Sequence, residues 1–159
     1  MHALRISLVC LTLVSEGCST PVDLKQALTV SDVSTGWFDA GIVDGRNKIV
    51  PRVTFKLKKA PGTDIPWVAL NGMIRAVDGQ ESDLDADIYV QRVDFTGDET
   101  APITIQGTNG YTGDPPQSRA DILKHTMFRD MKMKVFAKQS SAQWVELTEA
   151  PIARQLLTR

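Results

Sequence analysis

At 159 residues, with 18 Lys+Arg against 19 Asp+Glu, a net charge of -1 and 42% hydrophobic side chains, the chain has the make-up of one globular domain. The length excludes two domains with separate cores. The balanced charge excludes a global field that would draw the protein onto nucleic acid or an anionic surface, leaving only local patches for such partners.

The first 17 residues differ from the rest and read as a signal peptide. Met1 to Arg5 carries one firm positive charge, Ile6 to Val14 is an apolar run of nine residues, and Ser15 and Gly17 are small residues where a signal peptidase reads. The apolar run is far short of the roughly 20 residues that span a bilayer. Residues 18–26 then read as a polar tether and 27–159 as a single domain.

Within the domain, Leu28 to Thr35 reads as a first strand, followed by a stretch punctuated by Gly36, Gly41 and Asp44-Gly45 in which Trp37 and Phe38 plug one end of a core. Arg52 to Lys58 has the clearest alternation, with Val53, Phe55 and Leu57 on one face and Arg52, Thr54, Lys56 and Lys58 on the other. Pro51 marks a sheet edge or the start of that strand, since it cannot donate a ladder hydrogen bond. Trp67 to Val77 is the next strand, with a bulge expected at Gly72. Ile88 to Phe95 and the short Ile103 to Gln106 follow.

Asp114-Pro115-Pro116 then looks like an N-cap before a proline at the first helical position. Ile122, Leu123 and Met127 recur at helical spacing, so a helix of about three turns is expected over Pro115 to Phe128. The strand period returns in Met131, Met133, Val135 and Ala137. Gln139 to Ala142 turns the chain, and Gln143 to Thr148 pairs back as a hairpin. Pro151 to Arg159 fits a last strand or a helical turn. The expected core contains Val53, Phe55, Leu57, Leu70, Ile74, Ile88, Val90, Val135 and Val145. The pattern predicts a mostly β domain, an antiparallel two-sheet sandwich of about seven strands with one inserted helix, because a parallel sheet would need a helix at nearly every crossover.

Two resemblances attach to these residues. Gly17-Cys18, followed by Ser19, Thr20 and Pro21, resembles the lipobox of bacterial lipoproteins, with Ser15 and Glu16 standing where that motif usually has Leu and a small residue. The resemblance implies cleavage before Cys18 and lipid attachment to it, hence a membrane partner. With no aspartate at Ser19, it also implies the outer membrane, facing the periplasm. Plain secretion after cleavage, and a cytoplasmic protein with a misplaced start, are the competing readings. Cys10 falls in the discarded segment, so a mature chain keeps only Cys18 and no internal disulfide can form. In strand count and length the domain resembles the immunoglobulin-like sandwiches of envelope lipoproteins, without the Cys, Trp, Cys arrangement of antibody-type domains.

The chemistry of catalysis is thin. A mature chain has His125 as its one histidine, no G-x-S-x-G frames a serine, and no cysteine is left as a nucleophile. One histidine makes no zinc site. Asp83, Asp85 and Asp87 open like an EF-hand, but Ile88 stands where the turning glycine belongs, so a solvated acidic loop is expected and no metal or cofactor. The glycines of Gly107 to Gly113 have neither phosphate-binding spacing and are expected to serve turns with positive φ. Charge is uneven: Asp78 to Glu99 has eight acidic residues against Arg92, and Arg46 to Lys59 has six basic residues and no acidic ones. Pairing across strands accounts for this, a bipolar docking surface being the sharper alternative. The leading expectation is a non-enzymatic, membrane-anchored envelope lipoprotein that binds or assembles with another envelope protein and not with nucleic acid. The alternative is a secreted or periplasmic small-ligand module, carbohydrate being one class, that stacks its ligand on Trp37, Trp67, Tyr111 or Trp144.

Overall fold

Asp44-Gly45 is the sharpest local signal in the chain. In the structure, a computed structural model describing residues 22–157, both residues have positive φ (50° and 77°), and Val43 pairs directly with Arg46. This two-residue turn matches the twist of the strands it joins. It links β1 (Leu28–Val43) to β2 (Arg46–Lys59), the two longest strands.

The expected first strand therefore continues through Gly36 and Gly41 instead of turning there. Extra residues on β1 between Ser31 and Ser34 and between Asp39 and Gly41 put two bulges in it, with Asp32 (φ 52°) and Gly41 (φ 84°) in the left-handed region. Bulges bend a strand and increase its twist, which lets β1 stay in one ladder while curling. Gly36 serves close approach: a Cβ there would lie 2.9 Å from the Gln155 carbonyl oxygen and from Leu157, where β10 (Leu156–Leu157) pairs with β1 in parallel.

The alternation of Val53, Phe55 and Leu57 in β2 is observed, and all three are buried. Pro51 lies inside this central strand, not at an edge. The opposite edge of β2 is covered by β6 (Ile103–Gln106) at residues 52–55 and by β7 (Tyr111–Gly113) at 47–49, and residues 107–110 leave the ladder between them. The Pro51 carbonyl accepts from Gly107 N–H at 2.8 Å, so its nitrogen faces this same gap and no donor is missed.

Next come β3 (Trp67–Ala76), β4 (Ala86–Thr96) and β5 (Glu99–Thr100), then β8 (Met131–Lys138) and β9 (Val145–Pro151). Hydrogen bonding runs in the order β10-β1-β2-β5-β4-β3-β8-β9, with β6 and β7 also on β2, so all ten strands form one mixed sheet. It is strongly curled into a half-barrel, with β9 coming against β1 and against α1 (Leu24–Ala27). The mostly β expectation holds at that level. The strand count is higher than seven, and the β1 and β10 pair departs from an all-antiparallel pattern.

The bulge expected at Gly72 is on the neighbouring strand. Val68 faces Val93 and Leu70 faces Val90, so the extra residue falls at Gln91-Arg92 and keeps Ile88, Val90, Val93 and Phe95 all turned inward. Gly72 instead admits the facing layer: a Cβ there would lie 2.7 Å from Ile105 Cγ2. Six of the nine expected core residues (Val53, Phe55, Leu57, Leu70, Ile74 and Val135) are buried. Ile88, Val90 and Val145 are half-buried against the core, on β4 and β9. Trp37, Ile49, Ile65, Ile105, Met131 and Met133 join the buried set. So does Leu24, which lies in the expected tether, in α1 with Asp23 as its cap.

The long helix is corrected to α2, Arg119–Lys124, of six residues. Pro116 pushes Pro115 out of helical geometry, so Asp114-Pro115 cannot start a helix. The start is Ser118, in a reciprocal capping box with Asp121, a signal present in the sequence as S-x-x-D. Packing across Gly72 gives a direct test. Gly72→Ala should lower unfolding free energy by about 1–3 kcal/mol, and in urea titrations Ile105→Ala, which removes both Cγ2 and Cδ1, should offset part of that loss, giving a double variant less destabilised than the sum of the two.

Candidate functional site

The sheet has two rims. At one, Leu28 pairs with Lys59, Trp67 with Asp94 and Ala69 with Lys138; here α1 leads the chain in. At the other lie the β1-β2 turn, β7 and the start of β8. A groove lies at this second rim. It encloses about 240 Å³ and is lined by Tyr111, Thr112, Gln117, Ile122, His125, Met127 and Phe128.

Its wall is α2, seated by buried Ile122 and Leu123 and held at its start by the capping box. Ser118 Oγ accepts from Asp121 N–H at 3.2 Å, and Ser118 N–H donates to Asp121 Oδ2 at 3.2 Å. The hydrogen bonds from Ser118 keep the Asp121 carboxyl below its usual range. Ion pairing of Arg119 with Asp39 at 2.8 Å and the bond from Asn47 Nδ2 to the Gln117 carbonyl at 2.7 Å tie this segment to β1 and β2. After Lys124 the chain leaves the helix. His125 Nδ1 accepts from Met127 N–H at 3.2 Å, which leaves Nε2 as the ring's donor.

The groove floor is aromatic. Phe128 lies 4.7 Å from Trp37 and 4.6 Å from Tyr111 between ring centroids, and the Tyr111 hydroxyl accepts from Arg129 N–H at 2.9 Å. Arg154 stacks on Phe128 at 5.0 Å while bonding Asp130 at 2.6 Å. Trp37 Nε1 is buried without a hydrogen-bond partner.

The four expected stacking residues do not converge. Trp37 is 0% exposed and cannot meet a ligand, because β10 and the Phe128 ring cover it. Tyr111 lines the groove through a half-buried ring. Trp67 and Trp144 lie at the opposite rim, Trp67 under Arg92 at 5.1 Å and Trp144, 37% exposed, under Lys138 at 4.8 Å. Tyr89, 57% exposed and edge-on to Trp144 at 6.0 Å, was not among the expected residues. Its outward position in the Ile88 to Phe95 alternation is the signal that pointed to it. Met127, expected on a helix face, is 76% exposed because the helix ends before it. Cys18 and the signal peptide lie outside the described residues.

The acidic stretch is held by arginines. Arg129 donates to Asp78 at 2.7 Å and to the Glu81 and Gln80 carbonyls, while Arg75 donates to Asp87 at 2.7 Å and to the Ala86 carbonyl. Among the described residues no three His, Cys, Asp or Glu side chains are grouped to hold a metal ion. The 107–113 glycines correct the turn expectation, since none has positive φ. A Cβ on Gly110 would land on the Ile49 carbonyl oxygen, so crowding by β2 requires glycine there. Among the described residues no helix is long and apolar enough to cross a membrane. Set against known protein families, curated proteins and solved structures, the chain matches none.

Two outcomes follow for this region. Ser118→Ala should cost about 1 kcal/mol, the usual worth of an N-cap, and should raise amide exchange through residues 119–128. The Arg129 hydrogen bond holds the Asp78 carboxyl below its ordinary range. A depressed carboxyl stabilises the fold above its unfolded value near pH 4 and ceases to do so as pH falls through the lower folded value. Exchange protection of residues 79–85, corrected for intrinsic rates, should therefore drop in acid for the native chain and vary less in Asp78→Asn.

Proposed function

We propose that this chain is a non-enzymatic module of a bacterial cell envelope, held at a membrane by lipid on Cys18 and presenting its far rim to a protein partner. The observation that carries this reading is the apolar character of that rim. Ile42 (70% exposed), Val43, Val77 and Met127 are all open to solvent at that rim, opposite the one where the chain enters, and Met127 also lines the groove. Exposed apolar side chains grouped at one end of a domain favour association. Their placement away from the chain start suits a domain tethered behind its binding face. The lipobox-like Gly17-Cys18 supports the tether, and its Ser19 supports an outer-membrane, periplasm-facing location.

An immunoglobulin-like sandwich is the finer fold reading. It is supported by the face-to-face packing of β3 on β6 across Gly72. The continuous path through β5 and the parallel β10 depart from it.

A photoreactive amino acid at Met127, in cells, should give a discrete protein adduct that the same group at Thr104 in mid-sheet does not. Cys18→Ser should release the protein from the membrane fraction or leave it uncleaved. Equal labelling from both positions, or an unmodified Cys18 in the mature chain, would remove the proposal. The second reading, a secreted or periplasmic binder of a small ligand such as a carbohydrate, draws on the exposed Tyr89 and Trp144 rings.

A further inference from the structure

The rim at which the chain enters has a composition that the tether alone does not explain. Reading across the sheet, it runs from Leu28 and Lys59 through Glu99, Thr96, Asp94 and Trp67 to Lys138 and Val145. Three of the cation-aromatic contacts in the described chain are here: Lys59 over Phe95 at 5.2 Å, Arg92 over Trp67 at 5.1 Å and Lys138 over Trp144 at 4.8 Å. From the Trp144 contact the aromatic surface continues to exposed Tyr89 on the outer face.

We infer that this rim is a membrane-contact surface, with Trp144 and Trp67 entering the lipid headgroup layer and Lys138 meeting its phosphates. The inference rests on the proposal that Cys18 is acylated. If so, the chain from Cys18 to Asp23, the cap of α1, spans five residue steps, at most about 18 Å when fully extended. The helix α1 adds only four residues before Leu28 reaches the rim, about 6 Å of helical rise. The bilayer is therefore within one short tether of the cation-aromatic pairs, whereas the groove lies at the far end of the strands. Tryptophan favours the membrane-water boundary because its ring is apolar and its N–H is polar. Long basic side chains cover an apolar ring with their stems while their charged ends reach outward.

The charges define how the surface works. Asp94 pairs with Arg92 at 2.7 Å, and Glu99 pairs with Lys58 at 3.2 Å, so the rim has little net positive charge to offer an anionic bilayer. Its contact is weak alone and becomes effective through the high local concentration that the anchor imposes. The surface therefore orients a domain already anchored, tipping the groove away from the bilayer.

The test uses the full-length acylated protein in vesicles of phosphatidylethanolamine and phosphatidylglycerol with a nitroxide quencher on a fraction of the headgroups. Tryptophan emission should be quenched in the native protein. Quenching should be lost in a Trp67→Phe, Trp144→Phe double variant, whose remaining Trp37 is buried, and reduced in Lys138→Glu, which leaves the core untouched. Flotation with the vesicles and the mass of the N-terminus are read in the same samples. Acylated protein that floats but is not quenched overturns the membrane contact and leaves the anchor standing. An unacylated N-terminus overturns the anchor and, with it, this inference. If soluble cell-wall glycan fragments shift the Trp144 emission of the detergent-held protein and the headgroup quencher does not, the rim is a carbohydrate surface and the inference falls.

Discussion

Everything in this molecule is built on β2, a strand required to serve two dissimilar edges. Along one it holds the whole of bulged β1; along the other it holds β5, β6 and β7 in turn. Its inward row of Val53, Phe55 and Leu57 forms the core face, while Pro51 marks where the second edge changes partner. The break in pairing is what allows residues 107–110 to leave the sheet and return as β7, and β7 in turn supports the capped helix over the groove. A regular strand at that position would have kept β6 in the ladder and left the far rim without its wall.

Much of the sheet was legible from residue patterns. The alternations of Val53 to Leu57 and of Met131 to Ala137 translate into buried rows because each strand has one face on the core and one on water. Glycines were harder. Gly36, Gly72 and Gly110 all read as turns or bulges, yet each is small because another part of the chain presses on it: Leu157, Ile105 and the Ile49 carbonyl respectively. Such contacts are long-range, and no local window contains both partners. Helix length failed for a local reason: Asp114 before Pro115 has the form of an N-cap with proline at the first helical position, while the cap that operates is the S-x-x-D box at Ser118.

The site was less legible than the fold. Aromatic residues could be named, but their grouping depended on which rim each strand end reaches. The curl sent Trp37 and Tyr111 to one cluster and Trp144 with Tyr89 to another. The uneven charge along the sequence is partly cancelled in space, four of the eight acidic residues of 78–99 standing in ion pairs. Asp78 meets Arg129 and Asp87 meets Arg75, and Lys132 and Lys134 of β8 meet Glu146 and Glu149 of β9. The Glu146 bond to Lys134 holds that ammonium's pKa above its ordinary value, as expected for a ladder of opposite charges on one sheet face.

The parallel clasp of β10 on β1 has a consequence for the order of assembly. For a chain that emerges N-terminus first, β1 meets β2 almost at once through the Asp44-Gly45 turn, a contact local in sequence. The flank of β1 at Gly36 and Trp37, however, is closed by residues 155–157, which are the last described segment to emerge. Trp37, the largest buried side chain among the described residues, thus acquires its final cover only when nearly all of the described chain is present. Contacts of this sequence separation make folding slow, and the interval before β10 docks is when this edge is open to any strand that finds it first.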